Sequence, residues 1–99
     1  MNLFKNNFIA HRGLHKSRII PENSIQAFKN AMEKNYAIEF DINITIDKQI
    51  VIFHDDDLNR LCNKKEKIEE VTYDFLKDLK LYESDEKIPL LKELLDEVN

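Results

Sequence analysis

The sequence predicts an α/β fold that opens with a β-α-β unit and continues into a β-hairpin, and three observations carry this. First, a segment with one apolar face, Ile25, Phe28, Ala31 and Met32 at helical spacing, stands between two strand-like runs. Strands joined through such a helix lie parallel, with a right-handed crossover. Second, residues 37–46 alternate, with Ile38, Phe40, Ile42, Ile44 and Ile46 on one parity and Glu39, Asp41, Asn43 and Thr45 on the other. Period-two alternation marks a strand with one apolar and one polar face. Third, the apolar run 50–53 follows after only Asp47-Lys48-Gln49. A parallel return needs a crossover of a dozen or more residues, so this gap makes a hairpin.

Composition narrows the function classes. The chain has 99 residues, enough for one small domain with a modest core. Hydrophobic residues make up 42% and charged residues 34%, the balance of an ordinary globular chain. A net charge of -4 gives no basis for binding nucleic acid or an anionic membrane surface. No stretch approaches the roughly 20 apolar residues of a membrane span, and the N-terminal residues carry no apolar signal region. A cytoplasmic location is the expectation. The single cysteine, Cys62, forms no internal disulfide, which agrees with a reducing compartment.

In chain order, Phe8-Ile9-Ala10 reads as a buried strand running into the loop His11-Arg12-Gly13. Strand ends are where α/β folds carry their chemistry. Pro21-Glu22-Asn23-Ser24 opens the helix, with Asn23 as N-cap and Gln26 three residues on, or Ser24 in the capping role. Asn35 suits the left-handed residue that ends it. In the hairpin, a two-residue turn at Asp47-Lys48 pairs Ile46 with Gln49 and puts Asp41 opposite His54. A slip of one residue moves His54 to the other face. Asp55-Asp56-Asp57 reads as a solvated loop ahead of metal ligands or turn residues, and His15 as solvent-exposed. Thr72 caps a short helix carrying Phe75, Leu76 and Leu79, and Pro89 precedes a last helix whose apolar face is Leu91, Leu94, Leu95 and Val98. Three strands leave these apolar faces short of partners, so the sequence reads as the start of a larger fold.

The candidate site gathers His11 and Arg12 at one strand end, Glu39 and Asp41 on the next strand, and His54 across the hairpin. Carboxylates at i and i+2 on one strand face suit a hard cation such as Mg²⁺ or Ca²⁺. A guanidinium fork matches phosphate oxygens. Two imidazoles can act as acid and base near neutral pH. Together these parts describe metal-assisted cleavage of a phosphate ester.

The segments Ile9-Ala10-His11-Arg12-Gly13, Pro21-Glu22-Asn23-Ser24 with Ala27-Phe28, Ile38-Glu39-Phe40-Asp41, Thr45-Ile46-Asp47, Val51-Ile52-Phe53-His54-Asp55 and Leu58-Asn59-Arg60 resemble, in order, the opening of the glycerophosphodiester phosphodiesterase family. Ile88-Pro89-Leu90-Leu91 with Leu94-Leu95 resembles the segment that follows. The resemblance implies a TIM (β/α)8 barrel, of which residues 1–99 would be the N-terminal portion and roughly two-fifths of the usual length of about 250 residues. It implies hydrolysis of glycerophosphodiesters, such as glycerophosphocholine, to glycerol 3-phosphate and an alcohol. By the same resemblance His11 and His54 are the general acid/base pair, Arg12 a phosphate ligand, and Glu39 and Asp41 ligands of Mg²⁺ or Ca²⁺. The family carries a further acidic metal ligand, near a phosphate-holding lysine, on the next barrel strand, past the end of these residues. Three positions depart from the pattern: Lys48 and Asn35 where glycine is usual, and Leu90 where a small or hydroxyl residue starts the last helix. A non-catalytic alternative is a truncated relative serving as a metal-binding or interaction module, pairing as a homo-oligomer that completes the sheet.

Overall fold

The computed structural model describes residues 8–98, and its first elements are the expected strand, helix and strand. Strand β1 (Ile9–His11) pairs in parallel with β2 (Ala37–Glu39), setting His11 opposite Glu39. Helix α1 (Ile25–Glu33) forms the crossover, with Ala27, Phe28 and Ala31 buried. Its N-cap is Ser24, whose hydroxyl accepts the Ala27 N–H at 3.2 Å. Asn23 cannot cap, because its backbone is left-handed (φ 56°) and an N-cap needs extended backbone. At the other end Asn35 adopts the expected left-handed conformation (φ 59°), and the Asn35 and Tyr36 N–H groups donate to the Met32 and Ala31 carbonyls.

Residues 37–46 do not form one strand. β2 stops at Glu39, and β3 (Ile42–Ile44) begins two residues later in a separate sheet, antiparallel to β4 (Ile50–Ile52). Asn43 lies opposite Val51, one residue away from the expected register, and Phe53 N donates to the Asp41 carbonyl at 2.9 Å. Asp41 therefore faces Phe53 and not His54. The turn is the cause. Lys48 N donates to the Thr45 carbonyl and Lys48 is left-handed (φ 66°), while Thr45 N bonds the Gln49 carbonyl. This is a three-residue loop, a turn followed by a left-handed residue, and the extra residue shifts the register by one.

The faces also depart from the alternation. Ile38 and Phe40 pack against Phe28, Ile52 and Leu94 as expected. Past the break Ile42, Ile44 and Ile46 are 51%, 50% and 58% exposed, whereas Thr45 is buried and Asn43 half-buried. Period two finds the strand but cannot say which face a neighbouring layer covers. Likewise β1 buries only Ala10, and Ile9 is exposed. The continuous run around β4 lies between two cores. Val51 and Phe53 join Leu58, Leu61, Ile68, Leu76, Leu81 and Ile88, and Ile52 joins the α1 cluster.

The remaining elements are α2 (Asn59–Cys62), a 3-10 turn (Ile68–Glu70), α3 (Tyr73–Leu76) and α4 (Leu91–Val98). Thr72 caps α3 by accepting the Phe75 N–H. Leu90 lacks a capping hydroxyl, but the Glu93 carboxylate accepts its N–H at 3.0 Å. Half of the expected α4 face is covered: Leu94 is buried and Leu91 partly so, while Leu95 and Val98 are exposed. The described residues make a partial α/β domain with two two-stranded sheets and no closed barrel. No helix among them is long and apolar enough to cross a membrane.

Candidate active site

The site is built on a tight turn at the end of β1. Gly13 N donates to the Ala10 carbonyl at 3.1 Å, with Arg12 and Gly13 both left-handed (φ 59° and 80°). Gly13 is required twice over: its φ disfavours a side chain, and a Cβ there would lie 2.9 Å from the Ala27 Cβ. Arg12 has no such exemption, and strained backbone at a polar cluster persists only where the surroundings hold it. They do so here. Arg12 N donates to Glu39 Oε1 at 3.1 Å, its carbonyl accepts the Asn23 N–H at 2.8 Å, and its Nη1 donates to Glu22 Oε2 at 3.1 Å. Arg12 Nε lies 3.5 Å from Asp41 Oδ2.

Parallel pairing brings His11 beside Glu39, with Nε2 and Oε1 3.6 Å apart. Asp41 Oδ2 accepts Asn23 Nδ2 at 3.2 Å. The break after Glu39 leaves both carboxylates on the Arg12 side, so His11, Arg12, Glu39 and Asp41 form one group. His54 joins only indirectly. Its Nδ1 is 2.7 Å from Asp55 Oδ1, Arg60 grips Asp55, and Arg60 also grips Glu22, the partner of Arg12. Among the described residues no hydrogen bond or ion pair links His54 directly to the other four, as the shifted register requires. Asn43 steadies the His54 loop, its Nδ2 donating to the Phe53 and Asp55 carbonyls at 2.8 and 3.1 Å.

Charge pairing sets the electrostatics. Burial pushes the Glu22 carboxyl up, but hydrogen bonds from Arg60 and the charge of Arg12 outweigh it and hold the group below the usual carboxylate range. Arg60 likewise lowers Asp55, against a smaller opposing effect of burial and with help from His54. The Arg60 guanidinium is held still more firmly in its charged form by Glu22 and Asp55.

The donor set can be tested against a divalent cation. Glu39 Oε1 and Asp41 Oδ2 take the protein hydrogen bonds, which leaves Glu39 Oε2 and Asp41 Oδ1 for an oxygen-seeking ion. Next to them Arg12 Nε, 3.5 Å from Asp41 Oδ2, and Asn23 Oδ1 are buried with no hydrogen-bond partner among the described residues. Buried polar groups are normally satisfied, so an orphaned donor and acceptor beside two carboxylates fit a site that takes ligands of both signs. Two carboxylates alone do not enclose an ion. Among the described residues no group of three His, Cys, Asp or Glu does so.

Sequence reasoning found five of these residues and passed over Glu22, Asn43, Asp55 and Arg60 as participants. Asn43 shares the parity of Glu39 and Asp41, and an acid next to a candidate histidine is a usable sign for Asp55. Nothing in the linear sequence pairs Glu22 with Arg60, 38 positions away. Of the acidic run, Asp57 is a turn residue, its carboxylate accepting the Asn59 N–H.

The family model described as "Glycerophosphoryl diester phosphodiesterase family" matches residues 11–99. A glycerophosphodiester phosphodiesterase of Caldanaerobacter subterraneus subsp. tengcongensis is 38% identical over 95 residues, covering 89% of this chain and 38% of that protein. The crystal structure of a glycerophosphodiester phosphodiesterase from Thermotoga maritima superposes with a TM-score of 0.78 at 34% identity, over 93% of this chain and 38% of the other. An Oleispira antarctica phosphodiesterase solved in complex with the product sn-glycerol-3-phosphate gives a TM-score of 0.80 at 30% identity, over 90% and 38%. The chain spans about two-fifths of the length of the curated relatives it matches.

Proposed function

Because the chain belongs to the glycerophosphoryl diester phosphodiesterase family, we propose that its site serves metal-dependent hydrolysis of glycerophosphodiesters to glycerol 3-phosphate and an alcohol. The observation that carries this reading is the meeting of His11, Arg12, Glu39 and Asp41 at the ends of two parallel strands. In it, residues 1–99 are the N-terminal portion of a barrel domain, with β1, α1 and β2 as its first β-α-β turn.

Arg12 binds the phosphodiester. Its Nη1 donates to Glu22 and its Nε lies against Asp41 Oδ2, while among the described residues no hydrogen bond engages Nη2, so the fork keeps donors for phosphoryl oxygens. Glu39 and Asp41 would hold Mg²⁺ or Ca²⁺, which when bound supplies positive charge to a phosphoryl oxygen. A water oxygen forms the new bond to phosphorus as the bond to the alcohol oxygen breaks. His11 and His54 are the pair that takes the proton from the nucleophile and returns one to the leaving alkoxide. Asp55 at His54 Nδ1 holds that nitrogen as the donor and leaves Nε2 for this exchange.

A second reading, a non-catalytic metal-binding or interaction module that pairs with another copy, draws on the open sheet edges and on the two-carboxylate donor set. Glycerol 3-phosphate release from glycerophosphocholine with added Mg²⁺ or Ca²⁺ separates the two. The phosphodiesterase reading expects these residues, within a completed barrel, to support metal-dependent release that is lost in both His11→Ala and Glu39→Ala. A completed barrel that folds, binds the ion and releases nothing overturns it in favour of the module.

A further inference from the structure

Arg60 makes five hydrogen bonds. Its Nε and Nη2 donate to Asp55 Oδ2 and Oδ1 at 2.9 and 3.0 Å, its Nη1 and Nη2 to Glu22 Oε1 and Oε2 at 2.8 and 2.9 Å, and its Nη1 again to Tyr82 Oη at 3.2 Å. A guanidinium has five N–H donors, so none remains for a substrate oxygen. Arg12 is the opposite case, with its Nη2 in no hydrogen bond among the described residues and its Nε beside a candidate metal carboxylate. One arginine is equipped to bind phosphate and the other to hold protein groups in place.

What Arg60 holds is the partner of each half of the site. Glu22, in the loop before α1, also accepts Arg12 Nη1, and Asp55, in the loop after β4, lies against His54 Nδ1. The two halves belong to two sheets that share no ladder. An alternating chain of charge, Asp41, Arg12, Glu22, Arg60, Asp55 and His54, crosses between them, and Arg60 is the member that joins Glu22 to Asp55. We propose that Arg60 is a positioning residue, which sets the Arg12 fork and the His54 ring relative to each other by gripping Glu22 and Asp55 at once; this rests on the phosphodiesterase reading above.

Two consequences follow from its removal. Glu22, nearly buried, is left with Arg12 as its only cation, so Arg12 turns a second N–H onto it and loses a donor for phosphate. Asp55 is left without the bidentate grip that aims Oδ1 at His54 Nδ1, and the ring is no longer fixed in one tautomer. Lysine cannot substitute, since a single ammonium does not offer two parallel edges to two carboxylates.

The experiment uses the full chain with Arg60→Ala, Arg60→Lys, Asp55→Asn and, as a control, Tyr82→Phe, which removes only the fifth bond. Nitrogen-15 spectra of the neutral His54 ring are expected to show the Nδ1-protonated tautomer in the unmodified chain and in Tyr82→Phe. A mixture of tautomers is expected in the other three. Within a completed barrel, glycerol 3-phosphate release should fall about 10–100-fold in kcat in both Arg60 variants, the scale seen when groups that orient metal-site residues are removed. A His54 tautomer unchanged in Arg60→Ala and Arg60→Lys overturns the proposal, even if the variants are less stable, because a purely structural arginine lowers stability without moving the ring. If Arg60→Ala does not fold, Arg60→Lys and Asp55→Asn decide by the same spectrum. Absence of release from a completed, folded barrel counts against the phosphodiesterase reading, and the tautomer result in the chain judges Arg60 by itself.

Discussion

Replacing Gly13 with alanine tests whether the turn that presents His11 and Arg12 depends on a missing side chain. At φ 80° an alanine sits in the left-handed region, which costs an L-residue about 1–2 kcal/mol. Its Cβ would also meet the Ala27 Cβ at 2.9 Å, the Ala27 backbone carbon at 3.0 Å and the Phe28 Cδ1 at 3.0 Å. Neither neighbour yields easily, since Ala27 and Phe28 are both buried in α1. Overpacking of this kind costs about 1–3 kcal/mol. The sum, roughly 2–5 kcal/mol, is a large fraction of the roughly 5–15 kcal/mol that holds a domain together. Urea unfolding of Gly13→Ala should show a markedly lower midpoint with an unchanged slope. An unfolding free energy within about 0.5 kcal/mol of the unmodified chain would show that the close approach to α1 is not what fixes the turn.

The opposite change is expected at Lys48, whose left-handed backbone (φ 66°) closes the hairpin without glycine. Lys48→Gly should raise stability by about 0.5–1 kcal/mol, the relief of strain less the entropy of a freer unfolded chain; a lower urea midpoint would contradict the turn geometry. Acid should unfold the chain through Glu22 and Asp55. Both carboxyls are depressed in the folded state, so their stabilisation is complete above the ordinary carboxylate range and is lost as pH falls through the lowered values. Arg60→Ala should move that loss to higher pH, and circular dichroism against pH checks it. Cys62 should alkylate slowly, because burial pushes its thiol up to about 11; iodoacetamide labelling at pH 8 as fast as in the urea-unfolded chain would contradict this.

Much of the fold was legible because it rests on local rules. Helical spacing located α1 and α4, Thr72 declared its cap, and the short helix between two apolar runs required parallel pairing. What failed was decided by contacts distant in sequence. Alternation continued unbroken through Phe40 and Asp41, yet β2 and β3 belong to different sheets, and the isoleucines beyond the break face outward. A single residue in the turn, Lys48, shifted the hairpin register and with it the expected partner of Asp41. The site follows the same division. Glu39 meets His11 and Arg12 through one parallel ladder, readable in sequence, whereas Asp41, past the end of β2, joins them through Arg12 and Asn23. His54 is tied in through Asp55, Arg60 and Glu22, a path that exists only once α2 folds against the loop before α1.

The central claim, that these strand ends form one site for a divalent cation and a phosphodiester, is tested most directly by metal titration of the chain. Mn²⁺ serves as a paramagnetic stand-in for Mg²⁺ and Ca²⁺, since all three favour carboxylate oxygens. Amide signals of Glu39, Asp41, His11 and Arg12 should broaden first, excess Mg²⁺ or Ca²⁺ should restore them, and Asp41→Asn should abolish the effect. Broadening centred on residues 55–57, or spread over the acidic surface and indifferent to Asp41→Asn, would contradict the claim.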